Sequence, residues 1–254
     1  MTALARALWA EQLKLRGTLA LWMCVVAPAV VVAVYVLQIG FTNFPASRAA
    51  PPPEQVWQVF IQSTLVLWSF LMLPLLVTLQ AALLAGLEHQ GQHWKHLLAL
   101  SPPRHVHYLA KLFALLAMLA LSQLAMFALL PLGAWLLMAL KPAFGLAGPP
   151  PLASLAGQLA AIFGACVLLA ALHTWIAIRW RSFAVAVGIG MAATVMGFLI
   201  GQSARFGPWY PWSLPMQTLA NDPDIPARVV AWSLSAAVVA TLAGLVWFRR
   251  SEPA

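Results

Sequence analysis

The stretch 112-LFALLAMLALSQLAMFALLPLGAWLLMAL-140 carries no charge over 29 residues, with Lys111 immediately before it and Lys141 immediately after. As a helix it extends about 43 Å at 1.5 Å per residue, more than the ~30 Å of a bilayer's hydrocarbon core. Its strongly polar side chains are Ser122 and Gln123. A barrel strand would be about 10 residues long and alternate in polarity, and this run does neither. Pro131 does not break the reading, because neighbouring helices in lipid satisfy the carbonyl that a proline frees. The segment is a membrane-crossing helix.

Five further uncharged runs cover residues 19–39, 55–87, 152–178, 182–204 and 229–248. Each reaches the roughly 20 residues that a crossing needs. A charge at mid-membrane costs about 2.5–3.5 kcal/mol on insertion scales, so its absence from all six runs is informative. The chain is 63% hydrophobic and 8% charged, against roughly 25% charged in a soluble domain. Lipid must cover this surface. The expected fold class is an all-α polytopic integral membrane protein, one domain over residues 1–254, with spans at about 19–39, 57–87, 110–140, 152–178, 182–204 and 229–248. Residues 3–16 read as an N-terminal interfacial helix, with Leu4, Leu8 and Leu15 on one face and Arg6 and Arg16 off it. Pro28, Pro74 and Pro131 predict kinks. The loop 202–228 holds Trp209, Tyr210 and Trp212 with five prolines, which excludes one continuous helix and predicts short helices at the outer interface.

Orientation follows from the basic residues in alternate loops. One side holds Arg6, Lys14, Arg16, Lys95, Arg104, Lys111, Arg179, Arg181, Arg249 and Arg250; the other holds Arg48, Lys141, Arg205 and Arg228. The richer side, with both termini, is expected to be cytoplasmic. The formal net charge of +8 therefore reflects topology and anionic lipid headgroups. A nucleic-acid partner is not expected, because the charge is spread over four short segments and not gathered on one face.

The most polar inside segment is Glu88-His89-Gln90-Gly91-Gln92-His93-Trp94-Lys95-His96, followed by Pro102-Pro103-Arg104. His89, His93 and His96 fall at helical spacing and offer a metal-dependent alternative. Gly91 interrupts that helix and no Asp or Cys lies nearby, so no metal is assigned. Gln62, Gln80, Gln123 and His173 are the polar side chains inside the runs that can bond between helices or line a substrate path. Cys24 and Cys166 sit inside spans and read as packing residues. No Asp, Glu, Lys or Arg lies deep inside a span, as an ion-coupled carrier would need. Lys14, Lys95, Lys111 and Lys141 precede Leu, His, Leu and Pro, so the chain has no P-loop. Energy for uphill movement must enter through another subunit.

Ala10-Glu11-Gln12-Leu13-Lys14-Leu15-Arg16, the segment from Glu88 through Trp94, Lys95, Leu98 and Arg104 to Tyr108 and Lys111, and Pro211-Trp212-Ser213-Leu214-Pro215 together resemble the type-2 ABC exporter permeases of bacteria. The lantibiotic and bacitracin-type immunity and efflux permeases are most similar in character. The resemblance implies a non-catalytic permease of the bacterial cytoplasmic (inner) membrane that works as a dimer, homo- or heteromeric. It implies a separate ABC ATPase that binds ATP and Mg, so no cofactor is expected in this chain. It places Glu88, Trp94, Lys95, Leu98 and Arg104 at a first ATPase contact through a cytoplasmic coupling helix, and Arg179, Trp180 and Arg181 at a second. With no fixed charge in the spans, the expected cargo is amphipathic or hydrophobic, such as an antimicrobial peptide or antibiotic.

A cytoplasm-only reporter fused after Arg250 is expected to be active, and the same reporter inserted at Pro51 silent. Activity at Pro51 would reverse the orientation.

Overall fold

The computed structural model describes residues 2–43, 51–90 and 103–250, apart from the side chains of Leu87, His89 and Gln90. Nine α-helices are present among them: α1 (Ala3–Leu15), α2 (Leu19–Phe41), α3 (Pro53–Leu67), α4 (Leu73–Gln90), α5 (Arg104–Leu140), α6 (Leu152–Arg179), α7 (Phe183–Gly201), α8 (Leu214–Gln217) and α9 (Asp224–Arg250). The described residues contain no strand. Among the described residues six helical segments are long and apolar enough to cross a membrane, with α3 and α4 forming one of them. The second crossing begins at Pro53, where the sequence suggests 57, and the fifth ends at Gly201, where the sequence suggests 204.

Loop contacts fix two faces. On one, α1, the end of α4, the start of α5, the α6–α7 turn and the end of α9 meet; this is the terminal face. On the other, Lys141 donates to the Gly40 carbonyl (3.0 Å) and Trp57 Nε1 to the Ala147 carbonyl (3.0 Å). The core between them is built from small and branched side chains, with Trp68, Phe60, Leu115 and Met126 fully buried.

Pro74 leaves a mark on its helix. It has no N–H for the Phe70 carbonyl, and its ring displaces that carbonyl. The chain accommodates this with a π-helical turn at Trp68–Met72 that joins α3 to α4. Pro28 and Pro131, by contrast, lie inside single uninterrupted helices.

Close approach depends on glycine. A Cβ on Gly190 of α7 would stand 2.3 Å from Thr78 Cγ2 and 2.7 Å from His173 Cε1, so α4, α6 and α7 meet there only because the side chain is absent. Between α6 and α9 the bond is polar: Ser233 Oγ donates to the Ala165 carbonyl (2.9 Å) and accepts from the Leu168 N–H (3.2 Å).

The segment after α7 folds back into the bundle. It contains a 3₁₀ turn (Gly207–Trp209) and the short α8. Leu214 is fully buried, and Tyr210 Oη donates to the Ala193 carbonyl, 3.0 Å away on α7. The Trp212 ring meets His173 edge-on at 5.5 Å. His173 lies 21 residues from the start of α6, about 32 Å along its axis. These aromatics therefore reach well below the far ends of the neighbouring helices, which is deeper than an interfacial loop.

Gly190→Ala is expected to destabilise the protein by about 1–3 kcal/mol through overpacking. Gly188→Ala, where nothing stands within 4 Å of the added carbon, is expected to be neutral or to stabilise by up to about 1 kcal/mol. Thermal unfolding in detergent checks both.

Candidate coupling site on the terminal face

The amphipathic face of α1 carries an acid. Glu11 lies three residues after Leu8 and four before Leu15, the spacing that places side chains on one helix face, so it points with the leucines toward α5. Glu11 and Leu15 are the buried residues of α1. A carboxylate there needs partners, and it finds them. Lys14 Nζ donates to Glu11 Oε1 (2.8 Å) and to Glu88 Oε1 (2.8 Å). Lys111 Nζ lies 3.4 Å from Glu11 Oε2 and 2.5 Å from Glu88 Oε2, and also donates to the Leu84 carbonyl (3.0 Å). Two acids and two bases thus alternate around a closed, neutral ring that ties α1, α4 and α5 together. Glu88 is 1% exposed, Lys111 2% and Glu11 6%.

Burial alone would push the Glu88 carboxyl up, but Lys111 and Lys14 outweigh it and hold it below its ordinary value of 4.5. Burial likewise opposes the Lys14 ammonium, and its bonds to Glu11 and Glu88 hold it above its ordinary 10.5. Both groups stay charged across the neutral range.

The expectation that Glu88 faces a partner is corrected by this geometry: its carboxylate turns inward and is consumed by the two lysines. Arg104 begins α5 and is half-buried. Trp94, Lys95 and Leu98 lie outside the described residues, as do His93 and His96. The second expected contact is open: Arg179, Trp180 and Arg181 are all exposed. The Arg179 guanidinium lies over the rings of Trp180 (5.7 Å) and Trp247 (5.4 Å), and Trp175 packs edge-on against both tryptophans. The turn is thereby fastened to the end of α9.

Residues 7–197 of the chain, from within α1 to within α7, match the family model described as ABC-2 family transporter protein. The chain belongs to the ABC-2 transporter family. It is thus the membrane permease component of an ABC transporter. No curated protein matches it, and no solved structure does. All four members of the charged ring and the 179–181 turn of this ABC-2 permease fall inside the matched residues.

The four polar side chains within the spans are not gathered in one place. Gln80 Nε2 lies 3.2 Å from Cys24 Sγ and 3.4 Å from the Ala20 carbonyl, joining α4 to α2. Gln123 accepts from Trp68 Nε1 (3.0 Å) at the π turn. Thr78 Oγ1 donates to the Pro74 carbonyl (2.8 Å), so its contact with His173 Nε2 (3.1 Å) has the imidazole as donor. These three are buried helix-to-helix bonds. Gln62 lines a cavity, and its Nε2 donates to the Leu219 carbonyl at 2.8 Å.

In this permease Lys111→Met leaves two buried carboxylates to one lysine, and is expected to cost about 3–5 kcal/mol. The exchange Glu88→Lys with Lys111→Glu keeps the ring neutral but sets like charges side by side at Lys14 and at Glu11, so it is expected not to recover that loss. Unfolding midpoints of the solubilised variants measure this. The lowered Glu88 value means its stabilisation is present above pH 4.5 and lost as pH falls below it. The raised Lys14 value means its share is present below 10.5 and lost as pH rises beyond. A flat stability profile between those limits is expected from this ring.

Proposed function

We propose that this ABC-2 permease is the transmembrane subunit of an ATP-driven bacterial exporter, resting as a dimer on separate ABC ATPase subunits that bind ATP and Mg. The termini and the terminal face then lie in the cytoplasm, as the distribution of lysine and arginine favours. The observation that carries the reading is the buried ring of Glu11, Lys14, Glu88 and Lys111. Glu88 and Lys111 flank the 91–102 segment, which the family resemblance assigns to ATPase docking through Trp94, Lys95 and Leu98. Separating buried opposite charges is costly, so a push on that segment moves α4, α5 and α1 together. Glu88 then acts as a positioning residue. The exposed Arg179, Trp180 and Arg181 supply the second docking point, and Arg104 borders the first.

The cargo in this reading is amphipathic or hydrophobic, an antimicrobial peptide or antibiotic. The uncharged interiors of the spans support it, because they hold no fixed charge to bind and release an ion.

The test is co-expression with the cognate ATPase. The permease alone is expected to hydrolyse no ATP. Arg179→Ala with Arg181→Ala is expected to lower co-purified ATPase about 10-fold, the scale of one or two charge-assisted bonds. Glu88→Gln is expected to retain the ATPase while lowering transport per ATP hydrolysed. Equal effects of both variants on docking would remove the division of roles, and hydrolysis by the permease alone would refute the reading.

A further inference from the structure

On the face opposite the termini, α3 and α6 enclose two adjoining cavities of about 640 and 370 Å³, within the size range of ligand sites. They share Gln58, Gln62, Ser154 and Gln158 as walls. Thr218 and Asn221, from the re-entrant segment after α8, close the larger one. Its walls are uncharged, and the smaller cavity has a single ionisable side chain, Glu54. We infer that this cleft is a binding site for an extended peptide backbone, read through its amides. The inference deepens the export reading and rests on it for the direction of travel, but not for binding.

Three observations support it. Irregular backbone at membrane depth is tolerated where it is buried or lines a wet cavity, and the Leu219 carbonyl here meets the Gln62 amide at 2.8 Å. The cleft is therefore built to hold hydrogen-bonding groups below the surface. Next, Gln158 Oε1 is buried and has no hydrogen-bond partner among the described residues. That oxygen lies beneath the cleft wall, and it stays unsatisfied, at a cost, until the Gln158 amide turns it toward a donor in the cleft. With its Nε2 committed to Leu219, Gln62 has its own carbonyl oxygen as the group that can accept.

Spacing selects the donor. Gln58 and Gln62 are one turn apart on α3, and Ser154 and Gln158 one turn apart on α6, each pair rising about 6 Å. An extended chain repeats its same-side N–H and C=O groups about every 6.6 Å. Two facing polar rungs at that pitch match a peptide's backbone. A small ion would find no charge pair here, and an alkyl chain would leave the amides unpaired.

The test uses the full chain in lipid nanodiscs without ATPase. The probes are a fluorescein-labelled neutral octapeptide and its analogue N-methylated at alternate residues, which lacks half the backbone donors. The parent is expected to bind about tenfold or more tightly than the analogue, the scale of one to two hydrogen bonds. Gln158→Leu is expected to abolish that preference at an unchanged unfolding midpoint. Ser154→Trp, which fills the cleft from an exposed position, is expected to abolish binding of both probes. Equal affinity of the two peptides for the unaltered chain, a preference undiminished in Gln158→Leu, or binding undisturbed by Ser154→Trp each overturns the assignment. Failure of the export reading shows elsewhere, as a lack of ATP-linked transport with this binding intact.

Discussion

The terminal face of this permease is held together by a largely buried ring of four charges that are costly to separate. Lys14 and Lys111 each touch Glu11 and Glu88. A single ion pair at this depth would barely repay its desolvation. A closed alternation of two acids and two bases does better, because each charge has two opposite neighbours and none is left over. The ring also resolves a problem of connection. α1 is 13 residues long, too short to be stable alone in water. It is held by its leucine face and by two carboxylate bridges, and so becomes a lever joined to the ends of α4 and α5.

The remainder of the bundle is fastened differently, by small residues and polar bonds spaced along the spans. Lipid gives helices little hydrophobic reason to associate, so close backbone approach and hydrogen bonds must do it. Gly190 beside Thr78 and His173, Gly133 beside Val32, and Ser233 in the α6 ladder are such points. The π turn at Trp68–Met72 has the same character: Pro74 opens the helix, and the Trp68–Gln123 bond ties the opened turn to α5. The outer helices α7 and α9 keep much of their surface facing outward, and α9 is held to α6 by the Ser233 bonds.

The six crossings were legible in the sequence because a bilayer imposes a simple rule, long runs without charge. Boundaries were less so, since helices extend past the hydrocarbon, as α5 does through Arg104 and Lys111. The charged ring was half visible. Glu11 and Lys14 belong to the quoted pre-span segment, and Glu88 and Lys111 sit beside the apolar runs. What sequence reasoning missed was the pairing. The signal was Glu11 itself, an acid on the leucine face of α1, which demands a buried base. The family resemblance assigns Glu88 to a partner contact, whereas its carboxylate is neutralised from elements 74 and 23 residues away. Nor does periodicity reveal that Gln80, Gln123 and His173 would be spent on helix contacts while Gln62 opens onto a cleft.

The central claim is that the ring makes α1, α4 and α5 one moving body. Cys24 and Cys166 are buried and free, so spin labels can be confined to Trp9→Cys on α1 and Phe113→Cys on α5, both exposed positions. The measurement is the label-to-label distance distribution by electron–electron resonance, in the ATPase complex with and without trapped nucleotide. The coupled ring predicts one narrow distance that is the same in both states, and a distribution that broadens or shifts with nucleotide once Glu88 is changed to Gln. A distance that shifts with nucleotide in the unaltered ring as much as in Glu88→Gln would contradict it.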